Sequence, residues 1–261
     1  MTLLAIFIFI FGLVIGSGLN ALEFRYDNKK SFLVGRSICP HCKHELGGWD
    51  LIPVLSYLSL SGKCRYCNKK ISWHYPVIEV LTAVSFTLYA LFSDFIDHTE
   101  LFSFSFFVSL FAGFVIITLL VFLLLYDAHH QILPNGILLL LGVVGALASW
   151  FIFNQTLVNI LLGAVIGFGF FGLMYLVSKG KWIGFGDVKF GIALGLTLSS
   201  PLIFFCLFAA YIIGAVYAGF VLARKEKGMK DKIAFGPFLS LAAILALIVG
   251  PNIIHWYIGL L

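Results

Sequence analysis

The chain alternates long apolar runs with short polar segments. Eight of these runs are close to the roughly 20 residues that an α-helix needs to cross the hydrocarbon core of a bilayer. They are continuous, unlike the alternating stretches of about ten residues in a transmembrane barrel. The pattern therefore predicts an all-α polytopic membrane protein with about eight transmembrane helices. The predicted spans are 3–22, 76–93, 101–126, 135–153, 156–178, 184–199, 202–223 and 236–258, with the sixth the shortest.

The composition agrees with this pattern. Of 261 residues, 61% are hydrophobic and 11% are charged, and the mean hydropathy is +1.05. Soluble proteins are far less apolar than this. No basic segment precedes residues 3–22, and the run is long enough to span, so it is expected to be a retained first helix and not a cleaved signal. The lipid bilayer is an expected partner, and nucleic acid is not.

The basic residues are distributed unevenly. Nine of the 17 Lys and Arg residues lie in the loop 23–75, and the other eight lie in the segments 179–190 and 224–235. If the loop is cytoplasmic, alternation of eight spans places all 17 on the cytoplasmic side, as the positive-inside rule requires. The predicted orientation therefore has the Cys-rich loop in the cytoplasm and both termini outside.

Four cysteines in this loop have the spacing of a metal site. They form two Cys-x2-Cys pairs separated by 21 residues. Four thiolates complete a tetrahedral structural zinc site of the zinc-ribbon type, and a small polar loop gains stability from such a metal. Disulfide or redox pairing conflicts with a cytoplasmic location. His41 and His44 are alternative ligands, although surface histidines are expected here. The predicted zinc ligands are Cys39, Cys42, Cys64 and Cys67.

Two aspartates lie beside the apolar spans of the second half. Asp187 follows Gly184 and Gly186 in a Gly-x-Gly-Asp sequence, and Asp127 follows the third span. A charged aspartate at membrane depth costs roughly 2.5 to 3.5 kcal/mol on insertion scales, so each is expected to have a compensating role. The predicted topology puts both at the cytoplasmic ends of their spans, where they can meet.

Such a pair can catalyse hydrolysis. Two carboxyl groups in one site do not both ionise cheaply, so one keeps a proton while the other activates water. Gly184 and Gly186 would support the site by allowing a turn or a close helix approach. Lys189 would favour the ionised form of a nearby acid. Three alternatives remain at this point: an interfacial Asp187 paired with Lys189, an ion-coupling pair in a transporter, and a zinc-ribbon membrane scaffold without catalysis.

Three Gly-x-x-x-Gly sequences also occur in the apolar runs. Small residues at this spacing let helix backbones approach closely. They are expected to serve packing. The three pairs are Gly12 with Gly16, Gly163 with Gly167, and Gly191 with Gly195.

Together these features resemble the bacterial type IV prepilin peptidase family, membrane aspartyl proteases with a Gly-x-Gly-Asp motif and a cytoplasmic zinc-ribbon loop. The resemblance extends over nearly the whole chain and is carried by three regions in matching order. The first comprises 16–20, 35–42, 51–58, 62–67 and 71–79, the second is Asp127 with 133–134, and the third is 184–189.

The resemblance implies an enzyme of the bacterial cytoplasmic (inner) membrane. Asp127 and Asp187 would be its catalytic pair, and its partners would be prepilins or pseudopilins of pilus, secretion or competence systems. Cleavage would follow a glycine at the end of a basic leader, at the cytoplasmic membrane boundary. The implied domains are a first helix 1–22, a methyltransferase-associated zinc loop 23–75 and a peptidase domain 76–261.

The family is often bifunctional and methylates the new N-terminal amine with S-adenosylmethionine. That activity is associated with the cysteine loop, which this chain keeps complete. His74 stands where the family usually has Arg, and Lys63 replaces another common Arg. A peptidase without methyltransferase activity is therefore the alternative within the family. No residues for binding S-adenosylmethionine are predicted.

Overall fold

The computed structural model describes residues 2–28, 35–96, 103–224 and 234–259, which are predominantly helical. Within those ranges, two isolated β-bridges in the cysteine-rich loop are the only strand-like pairings. The predicted all-α fold class is confirmed. The long helices are α1 (Thr2–Asp27), α3 (His74–Phe92), α4 (Phe104–His130), α5 (Asn135–Phe151), α6 (Leu157–Ser178), α7 (Phe185–Leu198), α8 (Leu202–Ala223) and α9 (Gly236–Ile258), and the loop after α1 contains a 3-10 turn, η1 (Gly48–Leu51), and a short helix, α2 (Leu55–Ser59).

Each predicted span corresponds to one long helix, but not every helix can cross a bilayer alone. Six helices in the described ranges are long and apolar enough to do so, namely α1, α3, α4, α6, α8 and α9. Helix α5 has 17 residues and α7 has 14. At about 1.5 Å per residue, α7 is about 21 Å long, which is less than the roughly 30 Å of hydrocarbon in a bilayer.

The chain divides into two compact units, Met1–Leu91 and Phe92–Leu261. In the first unit, α1 buries one face whose members recur every three or four residues, and that face packs against α3. A Cβ at Gly12 would lie 2.5 Å from the Cα of Ala83, and one at Gly16 would lie 2.7 Å from the Cα of Glu79. The first Gly-x-x-x-Gly sequence therefore serves close helix packing, as predicted. The finer domain boundaries at 22 and 75 remain a prediction.

In the second unit, the other two Gly-x-x-x-Gly sequences face each other between α6 and α7. A Cβ at Gly163 would overlap the carbonyl oxygen of Gly195, and one at Gly167 would overlap that of Gly191. Only glycine allows the two backbones to approach this closely. The predicted packing role is confirmed, and the two helices are held in a fixed register.

Helix α7 is an inner element of the second unit. Besides α6, it packs against α5 and α9, and most of its residues from Val188 to Leu198 are buried. The hydroxyl of Ser149 in α5 donates to the carbonyl of Thr197 near the end of α7, at 2.7 Å. Buried apolar side chains such as Phe190 and Leu194 alternate with small residues along this helix. The short length of α7 is thus accompanied by contacts on several sides.

Candidate active site and metal centre

Asp127 lies in the last turn of α4 and is 5% exposed. The C-cap residue Gln131, directly after the helix, adopts the left-handed conformation and donates its backbone N–H to the carbonyl of Asp127. More of α4 is buried than of any other candidate span that the structure describes. The carboxyl group is therefore presented at the end of a buried helix, where it has little contact with solvent.

Asp187 occupies the third position of α7. Its Oδ2 accepts a hydrogen bond from the backbone N–H of Gly184, the N-cap residue, at 3.2 Å. A carboxylate in the first turn of a helix is stabilised by the free backbone N–H groups and the helix dipole. The Gly-x-Gly-Asp sequence thus forms a helix start, with Asp187 half-buried at its opening.

The two aspartates lie at the same end of the second unit and interact electrostatically. The N-terminus of α9 adjoins them, because Gly236 donates its backbone N–H to the Asp127 carboxyl group. A Cβ at Gly236 would lie only 2.5 Å from Oδ2 of Asp127. The glycine that lets a helix approach a carboxyl group is therefore Gly236, which the sequence reasoning missed. A Gly-Pro pair opening an apolar run was the available signal.

The predicted supporting residues have other surroundings than expected. A Cβ at Gly186 would make ordinary contact with Leu133 at 3.5 Å, and one at Gly184 would lie 3.8 Å from Asp187. Neither glycine therefore serves a close helix approach. Lys189 donates to the side-chain oxygen of Asn135 at 2.8 Å and lies 5.0 Å from the ring centroid of Phe185.

Lys189 does not form an ion pair with Asp187. In the ranges that the structure covers, neither of the two salt bridges joins these residues. Residues two apart on a helix point in different directions, which explains why no pair forms. The alternative of a simple Asp187–Lys189 ion pair is therefore not supported, and a longer-range influence of Lys189 on the acid remains a prediction.

The four predicted cysteines converge in the first unit. Their sulfur atoms all lie within 4.8 Å of one another, and the Sγ atoms of Cys39 and Cys67 are 4.0 Å apart. A tetrahedral zinc site with bonds of about 2.3 Å separates its sulfurs by about 3.8 Å, whereas a disulfide needs about 2.05 Å. All four are free thiols, and the cluster has the ligands and spacing to hold a metal ion.

The two Cys-x2-Cys segments fold in the same way. In each, the N–H of the first cysteine donates to the carbonyl five residues later at 2.9 Å, and that cysteine's own carbonyl accepts from the residue four positions on. Each also has a left-handed residue directly after the second cysteine, Lys43 in one and Asn68 in the other. Each segment closes into a tight turn that presents two sulfurs on one side.

The surroundings of Cys39 favour its thiolate form. Partial burial raises the pKa of Cys39, but backbone N–H groups of Cys42 and His41 outweigh it and lower the pKa to about 7. Thiolate is the form that binds metals. His44 stacks on Tyr66 with ring centroids 3.7 Å apart. Among the described residues, the metal-capable group contains neither histidine, so the preference for cysteine ligands is supported.

Asp50 holds the second cysteine segment to the rest of the loop. Its carboxylate accepts hydrogen bonds from Arg65 at 2.7 Å, Gly47 at 3.1 Å and Tyr66 at 3.1 Å. Burial raises the pKa of Asp50, but these donors outweigh it and hold the pKa below its usual range. The sequence reasoning assigned Asp50 no role, because its partners lie 15 and 16 residues away.

Fold and site together define a polytopic helical membrane protein with a carboxyl pair in one unit and a four-cysteine cluster in the other. The sequence model described as "Bacterial Peptidase A24 N-terminal domain" matches residues 10–93, and the model described as "Type IV leader peptidase family" matches residues 114–219. With the relatives described next, these matches show that the chain belongs to the type IV leader peptidase family. It is an enzyme of the peptidase class.

Similar proteins are named prepilin leader peptidase/N-methyltransferase. One from Bacillus subtilis (strain 168) is 30% identical over 96% of this chain and 96% of its own length. One from Legionella pneumophila is 32% identical over 88% and 78%, and one from Dichelobacter nodosus is 34% identical over 85% and 74%. No solved structure gives a significant match.

Proposed function

We propose that this protein removes the basic leader of prepilins or pseudopilins and then methylates the new N-terminal amine. The main observation in support of this proposal is that Asp127 and Asp187, which are distant in sequence, interact at one end of the second unit. The names of the relatives support the substrate and both activities. An ion-coupled transporter or a non-catalytic scaffold is not favoured by these relationships.

The carboxyl pair supplies general acid and base. One aspartate is ionised and takes a proton from a water molecule. The oxygen of that water then attacks the carbonyl carbon of the scissile peptide. The other, protonated, donates to the carbonyl oxygen as the tetrahedral intermediate forms. Collapse of that intermediate breaks the C–N bond, and the first aspartate returns the proton it took from water to the leaving amine nitrogen, while the second aspartate regains its proton from the collapsing hydroxyl group. The hydrogen bond from Gly236 orients Asp127 for these steps.

The membrane position of the site suits such a substrate. In the proposed orientation, the basic loop and Asp127 and Asp187 lie at the cytoplasmic side of the inner membrane, with both termini outside. A basic leader stays on that side by the positive-inside rule. The bond between a leader glycine and the following apolar helix then lies at the depth of the two acids. Lys29, Lys30 and residues 225–233 lie outside the described residues.

The cysteine cluster is proposed to bind structural zinc. Four cysteine ligands leave no open position for a substrate, so the metal would stabilise the loop and not act on a peptide. S-adenosylmethionine is the proposed methyl donor, which supplies an electrophilic methyl group to the amine. The complete cysteine loop favours this bifunctional enzyme over the peptidase-only alternative.

In vitro cleavage of a synthetic prepilin by purified protein tests the peptidase. Replacing Asp127 or Asp187 by Asn keeps the side-chain shape and removes the acid. Either change is expected to slow cleavage by about 10²-fold or more. Asp94, an exposed acid of the same unit, provides the matched control, and Asp94→Asn should cleave normally. Wild-type rates in both site variants would rule out the paired-acid mechanism.

A further inference from the structure

The first unit contains a cavity of about 810 Å³. It is formed by the cytoplasmic-loop residues together with the end of α1 and the start of α3, all within Met1–Leu91. Pockets that bind molecules of the size of a drug or cofactor have volumes of about 300 to 1,000 Å³. The cavity is therefore large enough for a nucleoside-containing ligand. Cys39 and Cys64 of the four-cysteine cluster contribute to its lining, so the cavity adjoins the candidate metal site.

Glu79 places a buried carboxyl group at the wall of the cavity. Its side chain lines the cavity and it is 8% exposed. The carboxylate accepts hydrogen bonds from the backbone N–H of Val54 at 2.7 Å and from the Ser17 hydroxyl. No salt bridge to Glu79 occurs among the residues that the structure covers. A buried carboxylate without a cation favours a positively charged ligand.

Val54 links this acid to local strain in the loop. It has a φ of 60° and a ψ of −49°, a conformation that β-branched residues rarely adopt. Its N–H is the donor held by Glu79. Strained backbone in a structure often marks a functional site. The contact with Glu79, which itself lines the cavity, therefore stabilises a costly loop conformation.

Asn20 adds an unsatisfied acceptor to the same wall. Its Nδ2 donates to the carbonyl oxygens of Gly16 at 3.3 Å and Tyr75 at 3.2 Å, which fixes the orientation of the amide. Its Oδ1 is buried and has no hydrogen-bond partner in the part of the chain that the structure describes. A buried acceptor without a donor favours a ligand that carries N–H or O–H groups.

The cavity also has aromatic walls. Phe24, Trp73 and Tyr75 line it, and rings of this kind stack on nucleobases. Its lining contains four Lys and Arg residues, Arg25, Arg36, Arg65 and Lys70. Arg65 pairs with Asp50, Arg36 pairs with Glu45, and Arg25 donates to the carbonyl oxygen of Gly35 at 2.6 Å. Asp50 and Glu45 therefore have cations of their own, whereas Glu79 has no salt-bridge partner among the described residues.

We propose that this cavity binds S-adenosylmethionine. The inference rests on the proposed function, in which that molecule donates the methyl group. S-adenosylmethionine carries a sulfonium and an ammonium against one carboxylate, so it is a net cation, and it has an adenine ring and several N–H and O–H donors. Glu79 supplies the compensating charge, Trp73 and its aromatic neighbours the surface for adenine, and Asn20 an acceptor. An anionic lipid headgroup lacks the positive charge that Glu79 favours.

Calorimetric titration of the zinc-loaded, full-length protein in detergent with S-adenosylmethionine tests this site. Glu79→Gln keeps an acceptor for Val54 and removes the charge, and it should weaken binding by about 10-fold or more. Trp73→Ala should weaken binding by about 5-fold or more, and Trp73 is 70% exposed, so its removal leaves the fold intact. Glu23→Gln is the matched control, because Glu23 is 9% exposed and is not among the described cavity-lining residues.

The outcomes separate this inference from the proposed function. Methylation of a synthetic pilin peptide by the wild type, followed by mass spectrometry, measures the function independently. If the wild type methylates and binds while both cavity variants bind equally well, the cavity is the wrong site and the methyltransferase stands. If the wild type neither binds nor methylates, the methyltransferase function fails and this inference fails with it. Selective loss of binding in the two cavity variants, with Glu23→Gln unaffected, supports the site.

A competition experiment with anionic phospholipid vesicles tests the alternative occupant. If the vesicles displace S-adenosylmethionine, and Glu79→Gln binds S-adenosylmethionine as well as the wild type, the cavity binds a lipid headgroup and the inference is overturned.

Discussion

Gly236→Ala adds a single carbon atom directly beside the proposed carboxyl pair and so tests whether the position of Asp127 matters for catalysis. The added Cβ would lie 2.5 Å from Oδ2, 3.0 Å from Cγ and 3.3 Å from Cβ of Asp127. Favourable separations between nonbonded heavy atoms begin near 3.5 Å, so relief requires a displacement of about 1 Å. An aspartate side chain is short and has few ways to move. The methyl group must therefore turn the carboxyl group or move the start of α9 away from α4.

The consequence for catalysis follows from that displacement. A misplacement of about 1 Å in a catalytic geometry can lower the rate by about 10²-fold. Overpacking of this kind costs about 1 to 3 kcal/mol of stability, which most folded proteins tolerate. Gly236→Ala is expected to lower kcat for prepilin cleavage by about two orders of magnitude, with only a modest fall in the unfolding temperature.

Steady-state cleavage of a synthetic prepilin, with thermal unfolding of the same preparation, measures both effects. Gly219→Ala is the control, because it places the same methyl group in α8, where nothing lies within 4 Å. That variant should cleave at the wild-type rate. Wild-type kcat in Gly236→Ala would show that the contact between α9 and Asp127 does not position the reacting groups, and the reasoning from their distance would be refuted.

Two further predictions concern packing and the metal. Gly167→Leu should lower the free energy of unfolding by at least about 1 to 3 kcal/mol, because Gly167 meets the backbone of Gly191, whereas Gly169→Leu should be tolerated because nothing lies near that position. Equal unfolding temperatures of the two variants would contradict the glycine crossing of α6 and α7. Elemental analysis should find about one zinc per chain, lost in the Cys39→Ser, Cys64→Ser double variant and kept in Cys206→Ser, since Cys206 is outside the cluster. Finding no metal and two disulfides in the purified wild-type protein would exclude the zinc site.

The helices were predictable because lipid leaves few alternatives. A backbone in hydrocarbon must satisfy its own hydrogen bonds, so a long apolar run is almost always helical. Helix α4 illustrates this, since the predicted span 101–126 became Phe104–His130. The Gly-x-x-x-Gly spacing also reports directly on helix contact, as Gly163 and Gly167 show against α7. An apolar run predicts a helix but not whether that helix crosses the whole bilayer. The predicted span 184–199 became α7, which has only 14 residues.

The environments of individual side chains were less predictable. The contact of Gly236 with Asp127 joins positions far apart in sequence, and no local pattern encodes that distance. Lys189 is different, because helical geometry already places it away from Asp187 once α7 begins at Phe185. Its partner Asn135 lies 54 residues away. The predicted span 184–199 already placed Asp187 and Lys189 two residues apart on one helix, so the ion pair could have been excluded from the sequence.

The two units use different physical means to hold their functional groups. The cysteine loop has little apolar core, and its order depends on hydrogen bonds such as those of Asp50 and on a cluster suited to a metal. The second unit relies on glycine-mediated contact between α6 and α7 and on buried α4. Asp127, Asp187 and Gly236 all belong to the second unit. Because the carboxyl site is built from residues of the second unit and the cysteines belong to the first, loss of the metal should impair methylation before it impairs peptide cleavage.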